Sequence, residues 1–223
     1  DEFENEIPEF DILVHTASWS GGSNITRELA WKTNVDGTAN MLTLAKKNRV
    51  KKFVYISSIA VYGMNDNLLI DEASDTSFIN ELYTDSKIAA ENLVKDSGIP
   101  YVIIRPGCIY GPRGEGWTIG VIKQIKCGFK LLGNDAGLIN LSFIDNFIDG
   151  LWRVIISEDA LNNIFNLNDG IVVSYHEFYT RFARMLGINN LPKITFTGVI
   201  PKSYCPINFI NNINDEIYEK IEN

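Results

Sequence analysis

Short apolar runs alternate with helical patterns along the first half of the chain. Apolar runs of strand length occupy residues 11–15, 53–57 and 101–105, and the first is predicted to be a buried parallel strand. Apolar side chains recur at helical spacing over residues 26–48, and again from Tyr83 to Gly98. This order of strand, helix, strand, helix and strand predicts a parallel α/β sheet.

The connecting and C-terminal segments have weaker patterns. Residues 19–25 are rich in Gly and Ser and are predicted to be a loop, and residues 64–82 have no strong period and are predicted to be a loop with a partial turn. Gly111, Gly114 and Gly116 indicate a flexible connection. The elements predicted after it are a helix over Thr118–Cys127 ended by Gly128, a strand over Asn140–Ile144, a helix capped by Asp145 and running to Ile156, a strand over Ile164–Leu167, a helix opened by a Ser174-x-x-Glu177 capping box and closed by Gly187, a strand over Lys193–Thr197, and a short helix over Asn214–Glu222.

Composition and charge narrow the class of protein. The 223 residues carry a net charge of −8 without a basic stripe, which argues against nucleic acid as a partner. A hydrophobic content of 45% is that of a globular protein with a sizeable core. The three cysteines have no metal-like spacing, so we expect no metal site and a reducing compartment. Because no apolar run has the length of a membrane span and no signal peptide opens the chain, we expect a cytoplasmic protein without a membrane partner.

Tyr83 and Lys87 are the first candidates for chemistry. Residues four apart lie on one face of a helix, so the Tyr83 phenol and the Lys87 ammonium can share a side. A phenol has a pKa of about 10, and a cation held nearby lowers that pKa. A phenol tuned in this way can take a proton from an alcohol or give one to a carbonyl. On spacing alone, a surface pair on a solvated helix face is the better interpretation.

A pair of serines precedes this helical pattern. Ser57 and Ser58 end an apolar run that begins at Val54, so a buried strand would carry their hydroxyls to its C-terminal end. Open α/β sheets bind ligands at those ends. Ser58, Tyr83 and Lys87 together form the set that an oxidoreductase of alcohols and carbonyls needs. Ser57 has a second interpretation, because its hydroxyl can instead satisfy backbone groups of the turn.

Several motifs follow the order of a known family. They are Asp11-Ile12-Leu13-Val14-His15-Thr16-Ala17-Ser18, Asn34-Val35-Asp36-Gly37-Thr38, the serine motif Ser57 to Gly63, the Y-x-x-x-K element Tyr83 to Lys87, and Arg105-Pro106-Gly107-Cys108-Ile109-Tyr110-Gly111-Pro112. Over roughly residues 11 to 187 the chain resembles the extended short-chain dehydrogenase/reductases of the NAD-dependent epimerase/dehydratase group, with features like the 3β-hydroxysteroid dehydrogenase branch.

The resemblance implies a fold and a division of the chain. The implied fold class is α/β, with a Rossmann-like, doubly wound parallel sheet that is incomplete at its N-terminal end. A smaller C-terminal substrate lobe would follow this sheet. The resemblance places a partial NAD(P)-binding domain at residues 1–112. Residues 113–223 would form most of the substrate-binding lobe, with some chain returning to the first domain.

The resemblance also assigns roles to individual residues. It implies that Ser58, Tyr83 and Lys87 are catalytic: Ser58 orients the substrate oxygen, Tyr83 transfers the proton, and Lys87 tunes Tyr83. It implies NAD or NADP as the cofactor, with these residues lining the cofactor site: Ala17, Asn34, Ser57, Tyr83, Lys87, Pro106 and Ile109. For Asn34 a hydrogen bond between helices is the alternative, and for His15 a core position is favoured over catalysis. The substrate would be a small molecule, either a nucleotide sugar or a hydroxy or keto compound, and a homodimer is left open.

Departures from the family's motifs narrow the reaction. Ile59-Ala60 follows Ser58 where sugar-nucleotide 4,6-dehydratases carry Asp-Glu, so we expect no dehydration. Many UDP-sugar epimerases carry R-D-x-x-x-V-D-D before the late helix. Here Ile139 stands at the arginine and Asn146 at the final aspartate, which leaves the phosphate anchor open, with Arg113 or Arg153 as alternatives. We expect an NAD(P)-dependent oxidoreductase or epimerase that interconverts a secondary alcohol and a ketone. The alternative is a non-catalytic protein of this fold that binds a nucleotide or a partner.

The family's phosphate-binding turn is not found in this sequence. The family begins with a strand, a G-x-x-G-x-x-G turn and a helix, and the turn binds the cofactor pyrophosphate through backbone N–H groups. Gly21-Gly22 follows the wrong strand to be that turn. We expect that the sequence is part of a longer chain, with a naturally shortened protein as the alternative. We also expect that Asp11–His15 has too few neighbours in the sheet and that these 223 residues bind a dinucleotide poorly.

Overall fold

Strands and helices alternate along the described chain, as the sequence predicts. The computed structural model describes residues 8–21, 26–63, 70–128, 131–132, 137–191 and 193–194. In chain order the strands and α-helices are β1 (Ile12–His15), α1 (Arg27–Trp31), α2 (Gly37–Lys47), β2 (Lys52–Ile56), α3 (Leu82–Lys95), β3 (Tyr101–Pro106), β4 (Cys108–Tyr110), α4 (Val121–Lys126), β5 (Leu131–Leu132), β6 (Leu138–Phe143), α5 (Ile144–Ile156), β7 (Asn163–Leu167), β8 (Val172–Ser174), α6 (Tyr175–Met185) and β9 (Lys193–Ile194). Short 3₁₀ segments occupy Ile59–Tyr62 and Glu158–Ala160, and π-helical segments occupy Lys32–Asp36 and Glu115–Gly120.

The described chain forms two compact units. The first contains the residues up to Pro106 together with Ile148–Leu167. The second contains Gly107–Phe147 and the described residues from Asn168 onward. The assignment of substrate binding to the later part of the chain, with a division at residue 112, stays a prediction.

The first unit is built on a four-stranded sheet in the order β1-β2-β3-β7, and every neighbouring pair is parallel. Strands β2 and β3 lie in the middle, and Val54 and Ile104 are fully buried there. Helices α2 and α3 pack against the sheet, because Leu42 and Val94 join the apolar cluster around Phe53. This arrangement confirms the predicted α/β fold class.

Strand β1 differs from its prediction in one respect. It is parallel, as expected, but its side chains alternate: Leu13 and His15 are buried, whereas Ile12 is 38% exposed and Val14 is 37% exposed. The prediction of a buried strand therefore holds for one face of β1 and was wrong for the other. Within the described residues β1 pairs with β2 alone and lies at the edge of the sheet, which agrees with the expectation of few neighbours.

The helix predicted over residues 26–48 is present but not uniform. Thr26 caps it, because its hydroxyl accepts a 3.2 Å hydrogen bond from the backbone N–H of Leu29. Between α1 and α2 the chain widens into the π-helical segment Lys32–Asp36. Such insertions are rare and are frequently found at functional sites. Asn34 lies in the middle of this one.

The second unit contains a sheet in the order β4-β6-β8, with β4 parallel and β8 antiparallel to β6. Helices α4 and α6 supply Ile125, Phe178 and Phe182 to its core. In a separate ladder β5 pairs in parallel with β9. The helix predicted to begin at Thr118 starts earlier, in the π-helical segment at Glu115, so the glycine-rich connection is shorter than expected.

Helix termini in the second unit give one confirmation and one correction. Ser174 caps α6 as predicted, because its hydroxyl accepts a 3.0 Å hydrogen bond from the N–H of Glu177. Asp145 does not cap α5, because the helix begins at Ile144 and Asp145 lies within its first turn. The Phe143 N–H just before this helix donates instead to the carboxylate of Asp169, at 2.9 and 3.0 Å.

Some predicted elements lie partly or wholly outside the described residues. These are the loops at residues 22–25 and 64–69, the strand at 195–197 and the helix at 214–222. The loop prediction holds for residues 70–81, which contain no helix or strand. Within the part of the chain that the structure describes, no helix combines the length and the apolar content needed to cross a bilayer.

Candidate active site

The C-terminal ends of parallel strands bring several predicted residues to one edge of the first unit. His15 of β1 lies opposite Tyr55 of β2, and Ile56 lies opposite Ile104 of β3. The residues that follow these strands, or end them, therefore lie at the same edge of the sheet. They are Ala17 after β1, Ser57 and Ser58 after β2, and Pro106 at the end of β3. This is the edge at which open α/β sheets bind ligands.

Helix α3 carries Tyr83 and Lys87 to the end of β2. Glu81 caps this helix, because its carboxylate accepts hydrogen bonds from the N–H groups of Tyr83 (3.1 Å) and Thr84 (2.7 Å). The Lys87 side chain is buried, and its Nζ donates a 2.9 Å hydrogen bond to the carbonyl oxygen of Ile56. The surface-pair interpretation of this spacing is therefore wrong for Lys87.

The Lys87 ammonium lies among aromatic rings. Its Nζ is 5.0 Å from the ring centroid of Tyr55 and 5.9 Å from that of Tyr83. Burial lowers the pKa of Lys87 to about 8, and the negative charge of Glu91 opposes this effect. Burial raises the pKa of Tyr55, and Glu91 and Tyr83 act in the same direction. Among these rings, Tyr83 alone is on the same helix face as the cation, and a nearby cation favours a phenolate.

Ser58 is the second residue after β2, two positions beyond Ile56, whose carbonyl oxygen accepts the hydrogen bond from Lys87. Its backbone is extended, and its hydroxyl oxygen accepts a 3.1 Å hydrogen bond from the N–H of Ala60, which caps the 3₁₀ segment Ile59–Tyr62. The oxygen acts as an acceptor in this contact, so the hydroxyl hydrogen can be donated to another oxygen. The catalytic roles predicted for Ser58, Tyr83 and Lys87 stay predictions.

Asn34 connects separate segments of the first unit through side-chain hydrogen bonds. Its side chain is 1% exposed and makes four hydrogen bonds. The oxygen accepts from the Trp19 N–H (2.7 Å) and the Ser18 hydroxyl (3.1 Å), and the nitrogen donates to Trp19 O (3.0 Å) and Ser86 Oγ (2.8 Å). The bond to Ser86 joins two helices, which was the alternative to a cofactor contact. The cofactor contact predicted for Asn34 stays a prediction.

His15 lies in the core at the end of β1. Its Nε2 is 3.1 Å from Thr38 Oγ1, and Thr38 donates its own hydrogen to the carbonyl oxygen of Asn34 at 2.6 Å. Nε2 is therefore the donor to Thr38. Burial lowers the pKa of His15 to about 4, and the positive charge of Lys87 contributes to this shift. A neutral, hydrogen-bonded histidine in the core is what the sequence favoured.

Sequence reasoning did not find the partner of Ser57. The Ser57 hydroxyl donates a 2.6 Å hydrogen bond to the carboxylate of Glu91, which also forms a bidentate pair with Arg105. The signal was present, because Glu91 follows Lys87 by one helical turn on the same face. Arg105 was recognised only as part of a motif. The cofactor contact predicted for Ser57 stays a prediction.

The remaining candidates are Ala17 and Pro106 of the first unit and Ile109 of the second. Pro106 ends β3 in the first unit, and Ile109 is in β4 of the second unit, where it pairs with Ser142. Gly107 between them cannot be replaced easily, because an added Cβ would lie 2.5 Å from Asn140 O. The cofactor contacts predicted for Ala17, Pro106 and Ile109 stay predictions.

Known proteins resemble this chain in sequence and in fold. Residues 1–167 match the NAD dependent epimerase/dehydratase family. The N-acetyl-alpha-D-glucosaminyl-diphospho-ditrans,octacis-undecaprenol 4-epimerase of Escherichia coli O157:H7 is 29% identical over 173 residues, which cover 74% of this chain and 52% of that protein. The 3-beta-hydroxysteroid dehydrogenase of Mycolicibacterium neoaurum is 27% identical over 210 residues, covering 86% and 57%. The structure of UDP-glucuronic acid 4-epimerase from Bacillus cereus in complex with NAD matches with a TM-score of 0.73 and 21% identity, covering 84% and 63%.

These matches establish the family. The chain belongs to the NAD-dependent epimerase/dehydratase family, as its motifs predicted. The similarity to the B. cereus enzyme supports the fold. The structure of that enzyme is a complex with NAD. The chain spans about half the length of the curated relatives it matches.

Proposed function

We propose that this protein is an NAD(P)-dependent oxidoreductase or epimerase that interconverts a secondary alcohol and a ketone. The observation that carries the proposal is the position of Lys87. It is a buried cation on the same helix face as Tyr83, bonded to the end of the strand that leads into Ser57 and Ser58. Together with membership of the family, this placement supports redox chemistry at the C-terminal edge of the sheet.

Each residue of the set has one role in the proposed reaction. In the direction of oxidation, Tyr83 Oη takes the proton of the substrate hydroxyl, and the Lys87 ammonium stabilises the phenolate form that can accept it. Ser58 Oγ donates a hydrogen bond to the substrate oxygen as it becomes a carbonyl. In the direction of reduction the same proton returns from Tyr83 to the oxygen.

The residues of this edge fit part of a nicotinamide nucleotide. An ammonium carries three donors, of which Lys87 gives one to Ile56 O, so another can bind a ribose hydroxyl. Ala17 and the Pro106–Ile109 backbone are the other proposed contacts. When bound, the nucleotide supplies the hydride acceptor and donor. The glycine-rich turn that would hold its pyrophosphate has no counterpart among the 223 residues.

The substrate class has two versions, because epimerisation and net dehydrogenation share this half-reaction. Relatives named as 4-epimerases of nucleotide or lipid-linked sugars support the first version. Relatives named as 3-beta-hydroxysteroid dehydrogenases support the second. Ile59 and Ala60, which follow Ser58, carry no carboxyl group that could catalyse the elimination of water. We therefore do not propose a dehydration.

The test is to purify the full-length protein and incubate it with NAD or NADP and with UDP-glucose, UDP-glucuronic acid or a 3β-hydroxysteroid. Net dehydrogenation gives reduced nicotinamide in proportion to the ketone formed, measured by absorbance. Epimerisation gives the epimeric sugar without a net change in reduced nicotinamide. A protein that binds the nucleotide but converts none of these substrates, with either cofactor, would favour the non-catalytic alternative.

A further inference from the structure

Glu91 lies one helical turn beyond Lys87, on the face of α3 that carries Tyr83. Residues spaced by four align along one side of a helix, so Tyr83, Lys87 and Glu91 form a row. The Glu91 side chain is 1% exposed. A carboxylate buried this deeply requires hydrogen bonds and an opposite charge.

Both oxygens of the Glu91 carboxylate are bonded. Oε1 accepts from Ser57 Oγ at 2.6 Å and from Arg105 Nε at 2.9 Å. Oε2 accepts from Arg105 Nη2 at 2.7 Å and from Lys95 Nζ at 3.3 Å. Burial opposes ionisation of Glu91, but the bonds from Arg105 and Ser57 outweigh it and lower the pKa of the carboxyl. This carboxylate therefore joins α3 to the ends of β2 and β3.

Arg105 connects the Glu91 carboxylate to Tyr62, at the far end of the Ser57–Tyr62 segment. Its Nη1 donates to the Tyr62 hydroxyl at 2.8 Å, and its guanidinium lies 4.8 Å from the Tyr62 ring centroid. Tyr62 in turn donates to Asn166 Oδ1 at 2.8 Å. The segment from Ser57 to Tyr62 is thus held at both ends by one buried ion pair, and Ser58 lies between the two anchors.

We propose that Glu91 is a positioning residue: with Arg105 it holds the Ser57–Tyr62 segment, and so Ser58, against the helix face of Tyr83 and Lys87, and it places a carboxylate one helical turn from the Lys87 ammonium. The inference rests on the proposed function. Glu91 does not touch the reacting groups; it acts through Ser57 and through the field at Lys87. A small displacement of Ser58 matters, because a misplacement of about 1 Å can reduce a rate by about 10²-fold.

The charge role can be separated from the structural role by pH. The titratable groups around Lys87 in the described residues are Tyr83 and Glu91 on its own helix, His15 on β1 and Tyr55 on β2. Glu91 supplies the negative charge that counters burial. In Glu91→Gln this nearby negative charge is removed, so Lys87 should lose its proton at a lower pH than in the wild type. Loss of packing alone would reduce activity equally at every pH.

The first experiment measures kcat against pH for the full-length wild type, Glu91→Gln and the control Lys95→Gln. Lys95 contacts the same carboxylate but is about one third exposed. Its replacement leaves Glu91 hydrogen-bonded to Ser57 and Arg105, because those bonds do not involve Lys95. We expect the basic limb of the profile to move to lower pH in Glu91→Gln and to stay within a few tenths of a pH unit in the control. An unshifted limb in Glu91→Gln, with or without a lower rate, overturns the proposal.

Two further measurements keep the proposal testable if Glu91→Gln folds poorly or the substrate is not found. Ser57→Ala leaves the Glu91–Arg105 pair intact. It should lower kcat towards the roughly 100-fold limit of a small misplacement, with an unchanged KM; an unchanged kcat overturns the anchoring of Ser58. The Lys87 amine can also be titrated directly by ¹³Cε NMR, with its signal assigned by Lys87→Met. A titration of Lys87 that is the same in wild type and Glu91→Gln overturns the charge role without any reference to turnover, whereas a wild type without turnover is a failure of the proposed function itself.

Discussion

The Lys87 ammonium donates a 2.9 Å hydrogen bond to the carbonyl oxygen of Ile56, the last residue of β2. This bond attaches helix α3 to the strand end that leads into Ser57 and Ser58. It also explains how a lysine that is 2% exposed is tolerated, because a buried cation requires a hydrogen-bond acceptor and a nearby negative charge.

Replacement of Tyr83 by phenylalanine removes one hydroxyl and keeps the ring. We expect the fold to survive and kcat of the full-length protein to fall by about 10²–10⁴-fold, the usual contribution of a general acid or base. Nucleotide binding should change little, because Lys87 and the backbone provide those contacts. Tyr101→Phe, at the opposite end of β3, is the control. Turnover that survives in Tyr83→Phe would show that Tyr83 is only a helix-face residue.

Replacement of Lys87 by methionine should impair both turnover and nucleotide binding. The variant keeps a long apolar stem but loses the charge that tunes Tyr83 and a donor to the ribose. The loss of kcat should therefore exceed that of Tyr83→Phe, and the nucleotide Kd, measured by calorimetry, should rise. Lys95→Met is the comparison, because Lys95 lies on the same helix and is about one third exposed. A Lys87→Met protein that binds the nucleotide as tightly as the wild type contradicts the proposed ribose contact.

Asn34→Asp tests the hydrogen bonds by which Asn34 connects Trp19, in the segment after β1, with Ser86 of α3. The change keeps the shape of the side chain but removes its two N–H donations, to Trp19 O and Ser86 Oγ. It also places a negatively charged carboxylate oxygen beside these two acceptor oxygens. A buried group left without its partner costs about 1–3 kcal/mol, and more when charged. We expect at least this loss in the free energy of unfolding measured with urea. Asn92→Asp, on the exposed face of α3, should lose far less.

The Glu91–Arg105 pair should be strongly coupled. Arg105→Met alone leaves the buried Glu91 carboxylate with only the partly exposed Lys95 as a cation, and breaking a buried pair in this way costs about 3–5 kcal/mol. The double variant Glu91→Met/Arg105→Met removes both charges and should cost less than the sum of the single changes. The exposed pair Lys51–Asp11 is the control, and Lys51→Met there should cost less than about 1 kcal/mol. Additive losses for Glu91 and Arg105 in urea unfolding would mean that the two do not act together.

His15 should make the protein less stable in acid. Its pKa in the folded chain is lowered to about 4 by burial and by the charge of Lys87, compared with 6.5 ordinarily. The unfolded chain therefore binds more protons at His15 between these values, and the free energy of unfolding falls as the pH falls through that window. The loss approaches roughly 3 kcal/mol at the lower end. In His15→Gln this part of the pH dependence should disappear; an identical slope in the variant rules out the assignment.

The local part of the fold followed from the sequence. The strands near residues 12, 53 and 101 and the helices that follow them were predicted because the spacing of apolar side chains depends only on neighbours along the chain. The shared helix face of Tyr83 and Lys87 is local in the same sense. The motif order also identified the family, to which the chain belongs.

Only the tertiary structure decided which polar groups meet. Asn34 is saturated by Trp19 and Ser86, and Glu91 is joined to Ser57 and Arg105, which are distant along the chain. A pattern of residue types does not contain such partnerships, because they depend on which strand ends and helix faces come together in space. The π-helical segment around Asn34 and the exposed face of β1 have the same origin: each depends on what packs against the element, whereas periodicity records only the element itself.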